Sequence, residues 1–313
     1  MVVRRLWTKV VPRKHSSFDR MNAFLFGKMG GMKMRRWVKY VVWIGIVLLI
    51  GVAGYFSFFH QSEAEANTIN VGIMAGSEQE QAIWNEVAKT AKDKYGLNVK
   101  FQTFTDYSQP NNALTNGDID VNAYQNYPFL DNWNEVHHTD IVPVGDTVIE
   151  PMRIYSNQFK SVNDISNGTS IAVPNDTNNE SRALHVLQSA GLIKLNPKKT
   201  FTTVKDITSN PKNLKIKEVD ASQTPRLLNS TGASVVNGNF AESSNLSPKK
   251  AIYTPPFTKD SHKWVNFIAS TKKNKNDKQI KELVKAYQTE KTAKLIKKES
   301  GINQQAAWNL KFK

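Results

Sequence analysis

The sequence predicts an α/β protein preceded by one N-terminal transmembrane helix. Two observations carry this prediction. Along residues 68–313, segments whose apolar residues alternate at period two are followed by segments whose apolar residues recur at helical spacing, and this order repeats. An uncharged run of twenty residues extends from Tyr40 to Phe59. The chain has 313 residues, of which 40% are hydrophobic and 22% charged. This composition is typical of a globular protein and excludes a disordered chain.

The run from Tyr40 to Phe59 is long enough to cross a membrane, since twenty helical residues at about 1.5 Å each span a core of about 30 Å. Basic residues, among them Arg36 and Lys39, precede it directly. The positive-inside rule therefore puts the N-terminus in the cytoplasm and the rest of the chain outside the cell membrane. A small-residue pattern ending at Ala66 is typical of a signal-peptidase site. The run is thus either a retained anchor, which its length favours, or a cleaved signal.

The net charge of +15 is concentrated near the N-terminus. Residues 1–39 hold eleven Lys and Arg against one Asp, whereas residues 67–313 hold 31 Lys and Arg against 24 Asp and Glu. The lysines near the C-terminus alternate with glutamates such as Glu282 and Glu290, which is typical of a solvated helix face. No nucleic-acid partner is predicted.

The first predicted elements outside the membrane are a strand, a helix and a second strand. Alternation at Ile69–Ile73 indicates the first strand. Ser77 and Glu80 have the spacing of a capping box, which predicts the start of the helix, and Gly96 predicts its end. Alternation resumes at Leu97–Phe101. This order implies a parallel βαβ unit.

Further helices and strands follow in alternation. Helices are predicted at Gln109–Asn116 and Glu180–Ala190, and one long basic helix is predicted at Asp277–Lys298. The remaining strands are predicted at Ile119–Val121, Ile141–Ile149, Ile154–Ser156, Ile171–Val173, Leu214–Val219 and Ser234–Asn237.

Sequence patterns of catalysis and metal binding are missing. The chain has no cysteine, which excludes a disulfide, a thiolate metal site, a cysteine nucleophile and a cysteine-linked lipid anchor. Its six histidines have no metal-ligand spacing, and no G-x-S-x-G, Walker A or G-x-G-x-x-G motif occurs. An enzyme, a cofactor and a metal ion are therefore not predicted.

Four polar and aromatic motifs lie where strands give way to loops or helices, the usual ligand position in α/β sheets. They are Asp106-Tyr107 with Pro110-Asn111, DVNAYQNYPFL at residues 120–130, PNDTNNESRAL at 174–184 and VNGNFA at 236–241. In this order they closely resemble the methionine-binding protein family of ABC importers, also called the NlpA lipoprotein family. The resemblance covers nearly all of residues 68–313.

The resemblance implies a type II periplasmic-binding-protein-like fold, with two α/β lobes and a ligand cleft. It also implies a function: an extracytoplasmic solute-binding protein that captures methionine or a related amino acid and delivers it to a membrane permease driven by a cytoplasmic ATPase. The expected organisation is a basic cytoplasmic tail at 1–39, a transmembrane anchor or signal at 40–59, a linker at 60–67, lobe 1 at 68–150, lobe 2 at 151–241 and a return to lobe 1 at 242–313.

A free amino acid presents a carboxylate, an ammonium and a side chain, so its site needs an arginine fork, oxygen acceptors and a shaped apolar pocket. Arg182, expected in the first turn of a helix, resembles the carboxylate-binding arginine of the family. Asn179 and Asn237 match family asparagines whose oxygens can accept from the ammonium. Aromatic rings suit a thioether side chain. The aromatic positions of the family are matched by Tyr107, Tyr124 and Phe129.

The chain departs from the family pattern at several positions. Asn126 stands in the expected ligand site where the family commonly has histidine, and Phe129 replaces a common tyrosine. Arg153 stands where glycine is frequent, so its charge can reach an acidic ligand group or pair with Glu150. In place of the missing lipobox cysteine, the helix at residues 40–59 would keep the protein near its permease.

Other functions stay open. The same fold can bind a methionine-containing dipeptide or another amino acid, or it can act as a surface receptor or adhesion module without transport. An enzyme on this scaffold would need a reactive group in the cleft, where only Tyr107, Tyr124 and Arg182 are available.

Overall fold

The computed structural model describes residues 37–38, 40–50 and 67–312. Residues 40–50 are helical. Within the described ranges, no helix is both long enough and apolar enough to cross a membrane. Residues 51–59 of the predicted transmembrane run, most of the basic tail and nearly all of the predicted linker lie outside these ranges.

Strands and helices alternate along residues 67–312, which confirms the predicted α/β class. The strands are β1 Thr68–Met74, β2 Asn98–Phe104, β3 Val121–Asn126, β4 Ile141–Ile149, β5 Arg153–Tyr155, β6 Ser170–Pro174, β7 Lys194–Leu195, β8 Ile207–Ser209, β9 Lys215–Val219, β10 Ala233–Val236, β11 Ala251–Tyr253, β12 Val265–Thr271 and β13 Gln305–Ala306. The α-helices are α1 Glu78–Tyr95, α2 Gln109–Asn116, α3 Tyr127–His137, α4 Thr177–Ser189, α5 Gly238–Ser243, α6 Lys278–Tyr287 and α7 Glu290–Glu299.

Two sheets organise these elements. The first sheet has the order β13-β4-β12-β3-β1-β2, in which β1 is parallel to β2 and β3. The second sheet has the order β11-β5-β10-β6-β9, in which β6 is parallel to β9 and β10. β7 and β8 form a small separate pair. The second sheet takes strands from residues 153–253, so β11 belongs to it although it follows residue 241. The predicted lobe boundaries stay a prediction.

Each sheet buries its own apolar core. In the first, the period-two pattern of β1 puts Ile69, Val71 and Ile73 in the interior, where α1 packs together with α6 and α7. In the second, Leu184 and Leu187 of α4 pack against Ile171 of β6. These cores hold the ends of β3, β10 and α4 in place, and those ends carry the predicted site residues.

The predicted βαβ unit at the start of this region is confirmed. β1 and β2 are parallel and α1 connects them. The Ser77 hydroxyl accepts from the Glu80 amide at 3.1 Å, and Gly96 ends the helix with φ of 66°. The Glu80 carboxyl lines an internal cavity.

The prediction of one long C-terminal helix was wrong, because α6 ends at Tyr287 and α7 begins at Glu290. Gln288 leaves helical geometry, with ψ of 55°, and its side-chain amide donates to the Asp146 carbonyl at 2.9 Å. Thr289 then caps α7 by accepting from the Thr292 amide at 3.1 Å. The apolar period continues through the break, so periodicity alone did not reveal it.

The helix α3 was not predicted. Asn126 is its N-cap and accepts from the Phe129 amide at 3.2 Å, and Pro128 lies in its first turn. An asparagine two residues before a proline is a recognisable start signal for a helix. The segment is also rich in aromatic residues typical of strands, which mask this signal.

The cap at Thr289 gives a test of the break between α6 and α7. Thr289→Ala should lower the free energy of unfolding by about 1 kcal/mol, because the Thr292 amide loses its acceptor. Thr289→Ser keeps a hydroxyl and should restore most of the loss. Urea unfolding of a chain shortened to residues 67–313 measures both variants, and an unchanged midpoint for Thr289→Ala would contradict the capping role.

Candidate ligand-binding site

One internal cavity brings together all the residues predicted for the ligand site. Its wall comes from β3 and the start of α3, from α4, and from the junction of β10 with α5. This is the carboxyl edge of the strands, where α/β folds bind ligands. The predicted residues that line it are Tyr107, Tyr124, Asn126, Phe129, Asn179, Arg182 and Asn237. Their roles in binding stay a prediction.

Arg182 is half-buried in the cavity wall. Its Nη2 donates to the Glu150 carbonyl oxygen at 2.7 Å, and its Cζ lies 4.7 Å from the centroid of the Trp264 ring. Burial lowers the pKa of the guanidinium to about 10, with Glu150 and Tyr107 opposing the shift, so Arg182 stays charged at neutral pH. Because α4 begins at Thr177, Arg182 lies in the second turn and not in the first. The guanidinium therefore brings its positive charge to the cavity wall about one turn away from the start of the helix.

The two predicted asparagines contact each other. The Asn237 side-chain amide donates to Asn179 Oδ1 at 2.8 Å, and the Asn179 amide donates to both Asp176 carboxylate oxygens, at 3.1 and 3.0 Å. Asn179 Oδ1 is therefore already occupied. Asn237 Oδ1 is buried and has no hydrogen-bond partner among residues 67–312. Of these two side chains, Asn237 is the one whose oxygen has no partner among the described residues, and Asn179 orients it.

The three predicted aromatic residues form one cluster. The Tyr107 and Tyr124 ring centroids are 5.8 Å apart, and the Phe129 centroid lies 6.0 Å from the first and 5.7 Å from the second. The Tyr107 hydroxyl donates to Asn239 Oδ1 at 2.5 Å, and the Tyr124 hydroxyl donates to the Tyr107 carbonyl at 3.2 Å. Burial raises the pKa of both hydroxyls well above the usual value, so both rings are neutral. The cluster is an apolar wall whose polar ends are satisfied.

Asn126 connects two helices at the cavity. Its Oδ1 accepts from the Phe129 amide at 3.2 Å and from the Asn178 side chain of α4 at 3.3 Å. The oxygen is thus used inside the protein, in the cap of α3 and in the contact with α4. Asn126 also lines the cavity.

Carboxyl groups and a glutamine that were not predicted also line the cavity. Gln304 Nε2 donates to Glu150 Oε1 at 2.7 Å and lies 3.5 Å from Glu242 Oε2. Burial, with the charges of Glu150 and Glu242, raises the pKa of Glu80 to about 8, and burial together with Glu242 raises that of Glu150 to about 7. Within the part of the chain that the structure describes, no group of side chains is suited to hold a metal ion.

The sequence patterns did not indicate that these carboxyl groups and this glutamine would line the cavity. Glu80 fits a capping box, and Gln304 follows the last predicted element. Gly238 was the available clue, because a Cβ there would lie 2.7 Å from Glu150 Oε2 and 2.8 Å from the Glu150 Cβ. Only glycine lets the start of α5 approach this carboxyl so closely.

Arg153 takes neither of the two roles expected from the sequence. It is buried and does not line the cavity. Its Nη2 donates to the Ile302 carbonyl at 2.6 Å, and its Nη1 donates to Asn303 Oδ1 at 3.3 Å. Arg153 therefore ties β5 to the C-terminal segment that carries Gln304.

The raised pKa of Glu80 has a consequence for stability. A carboxyl whose pKa is higher when folded than when unfolded loses stabilisation as the pH rises from about 4.5 to about 8, because only the unfolded chain releases the proton freely. Glu80→Gln should therefore be nearly neutral at pH 4.5 and stabilising by about 4 kcal/mol at pH 8. Denaturation of residues 67–313 across this range measures the difference. The exposed Glu78→Gln on the same helix is the control, and equal pH profiles for both variants would contradict the assignment.

Comparison with known proteins gives the same family along most of the chain. The model of the NlpA lipoprotein family matches residues 69–308. The D-methionine-binding lipoprotein MetQ of Escherichia coli K12 is 41% identical over 252 residues, which cover 79% of this chain and 88% of that protein. The probable D-methionine-binding lipoprotein MetQ of Pasteurella multocida is 41% identical over 230 residues, 73% of this chain and 82% of that protein.

Solved structures agree with the sequence comparison. The substrate-binding protein of a methionine transporter from Streptococcus pneumoniae superposes with a TM-score of 0.74 at 41% identity, over 77% of this chain and 96% of that one. A nutrient-binding protein from Burkholderia cenocepacia, bound to methionine, superposes with a TM-score of 0.72 at 43% identity. The match covers 76% of this chain and 99% of that one. The relatives are binding proteins of transport systems, not enzymes. With a family match that spans residues 69–308, this chain belongs to the NlpA lipoprotein family.

Proposed function

We propose that this chain is the extracytoplasmic binding protein of an ABC importer, which captures free methionine or a related amino acid and delivers it to a permease driven by a cytoplasmic ATPase. The observation that carries the proposal is the convergence of three features on one cavity: the Arg182 guanidinium, the free Asn237 Oδ1 and the aromatic cluster. Each complements one part of a free amino acid. Relatives named for methionine binding support the choice of ligand.

The ligand carboxylate is assigned to Arg182. One of its five N–H groups donates to the Glu150 carbonyl, and Trp264 lies against the guanidinium. These two contacts hold the planar fork in one orientation before the ligand arrives, which reduces the entropy lost on binding. The N–H groups that remain can form the paired hydrogen bonds that a carboxylate prefers.

The ligand ammonium is assigned to Asn237 Oδ1. This atom is buried and without a partner among residues 67–312, so a donor that reaches it removes an unfavourable desolvation. The chain of amides from Asn237 through Asn179 to Asp176 fixes its direction. The Glu150 carboxyl in the same wall adds negative potential when it is ionised.

The ligand side chain is assigned to the cluster of Tyr107, Tyr124 and Phe129. A thioether gains about 0.3–1.5 kcal/mol from each contact with an aromatic ring, so such a cluster favours methionine over aliphatic side chains of similar size. Phe129 has no hydroxyl and contributes only its apolar ring.

The cavity takes its wall from elements of both sheets. A ligand enclosed in this way enters and leaves when the two α/β lobes separate, and closure brings Arg182 and the aromatic cluster onto it together. Transfer to a permease then needs only the reverse motion.

We also propose that residues 40–59 tether the protein to the membrane. Support comes from the uncharged run, the basic residues before it and the absence of any cysteine that could carry a lipid. Residues 40–50 of the run are helical. A tether of this kind raises the concentration of the binding protein at its permease.

Arg182→Ala should weaken methionine binding by about 10- to 150-fold, since a charge-assisted hydrogen bond contributes about 1.5–3 kcal/mol. Arg182→Lys keeps the charge without the fork and should lose less. Calorimetry on the purified protein measures both, with Arg226→Ala, an exposed arginine outside the cavity, as the control. Unchanged methionine affinity in Arg182→Ala would contradict the carboxylate assignment. A preference for a dipeptide or another amino acid would change the ligand and keep the transport role.

If residues 40–59 tether the protein, the full chain should stay in the membrane fraction after a carbonate wash. A chain that starts at residue 67 should be released into the wash. Immunoblotting of the two fractions measures this. A full chain that is recovered in the wash, with its N-terminus directly after Ala66, would show a cleaved signal in place of the anchor.

A further inference from the structure

A second cavity shares two wall residues, Arg182 and Glu150, with the amino-acid cavity. Its other walls come from α4, from the segment that joins β4 to β5, and from residues 255–264. Its volume is about 270 Å³. This is close to the lower end of the range of about 300–1,000 Å³ for small-molecule sites. The proposed function makes no use of it.

Positive charge converges on this cavity. Arg182 Cζ lies 4.7 Å and Lys263 Nζ lies 5.1 Å from the centroid of the same ring, that of Trp264. Among the described residues, no carboxylate oxygen lies within 4.0 Å of a nitrogen of either cation. Two cations that share one ring, neither of them in an ion pair with a described residue, favour an anion at this place, although the Glu150 charge also acts on Arg182.

His185 lines the cavity one turn after Arg182 on α4. Burial and the Lys263 charge lower its pKa, so its imidazole is neutral at neutral pH and can donate one hydrogen bond. The acidic groups in the wall are Glu150 and Asp260. Glu150 is already bonded to Gln304 at 2.7 Å.

Part of the wall is apolar. Met152, Val186, Pro255, Pro256 and Phe257 all line the cavity. The Phe257 side chain is 54% exposed, which is unusual for a phenylalanine. A ligand that carries an apolar body next to its charge would cover this surface.

We propose that this second cavity binds an organic monocarboxylate with a compact apolar or aromatic body. The carboxylate lies between Lys263 and Arg182, and the body packs against Pro255, Pro256 and Phe257. A small inorganic anion would satisfy the cations only, and a neutral molecule of the same shape would satisfy the apolar wall only.

The shared guanidinium links the two cavities. An anion in the second cavity competes for the N–H donors of Arg182 and repels a carboxylate in the first cavity. Occupation of the second cavity therefore weakens amino-acid binding. By thermodynamic linkage, a bound amino acid lowers the affinity of the second cavity for its anion by the same factor. This coupling rests on the proposed function, whereas binding in the second cavity does not.

Benzoate and benzamide test the site, because they share one shape and differ in charge. Calorimetric titration of the full chain in detergent, at constant ionic strength and without amino acid, should give saturable binding of benzoate and none of benzamide. Acetate and phosphate should bind at least about tenfold more weakly than benzoate, because they lack the apolar body. Equal binding of benzoate and benzamide, or of benzoate and phosphate, would overturn the proposal.

Lys263→Ala supplies the matched variant, since Lys263 is exposed and does not line the amino-acid cavity. This substitution should weaken benzoate binding by about tenfold, as expected for the loss of one charged partner. The affinity for methionine should stay unchanged. Lys281→Ala, an exposed lysine of α6 outside both cavities, should change neither. Unchanged benzoate affinity in a folded Lys263→Ala or Lys263→Gln protein would overturn the assignment.

The coupling has a signature of its own. The apparent Kd of methionine should rise with benzoate and then reach a plateau, because both ligands can be bound at once. A rise without a plateau means that benzoate competes inside the first cavity, and it would overturn the second site. If benzoate binds in a Lys263-dependent way and no amino acid binds at all, the proposed function fails and the second site stands.

Discussion

The hydrogen bond from Arg182 to the Glu150 carbonyl, 2.7 Å long, is the contact on which the cavity depends. It connects α4, which packs on the second sheet, with the point where the chain leaves the first sheet after β4. Because its hydrogen-bond acceptor is a carbonyl oxygen and the Trp264 ring lies against it, the guanidinium is held in place without an ion pair within 4.0 Å among the described residues. A positive charge held in this way attracts an anion and requires little rearrangement to bind it.

Most of the predicted polar groups of the cavity have hydrogen-bond partners within the protein, and one buried oxygen among them has none within residues 67–312. The tyrosine hydroxyls, Asn126 and Asn179 all have partners inside the chain, which fixes the shape of the wall. Asn237 Oδ1 has none among the described residues. Glu80 and Glu150 are buried near each other, which raises their pKa values to about 8 and about 7. Such groups lower stability and are typical of functional sites.

Local signals made much of the fold predictable. Ser77 and Gly96 mark the ends of α1, and alternation at Ile69–Ile73 identifies β1, because these signals act within a few residues. The break at Thr289 was not predicted, because the apolar periodicity of one long helix continues through it. The start of α3 was not predicted, because its aromatic residues favour a strand. The seven predicted site residues do line one cavity, and the family motifs identified them in the sequence. Glu80, Glu150 and Gln304 could not be found in this way, because only the folded chain brings residues so distant in sequence together.

The central claim is that one cavity binds one free amino acid. Calorimetric titration of the purified full chain with L-methionine, after unfolding and refolding to remove any carried ligand, tests it most directly. The account predicts saturable binding with one ligand per chain. A protein that refolds and yet shows no saturable binding of L-methionine, of any other common amino acid or of methionine-containing dipeptides would contradict it.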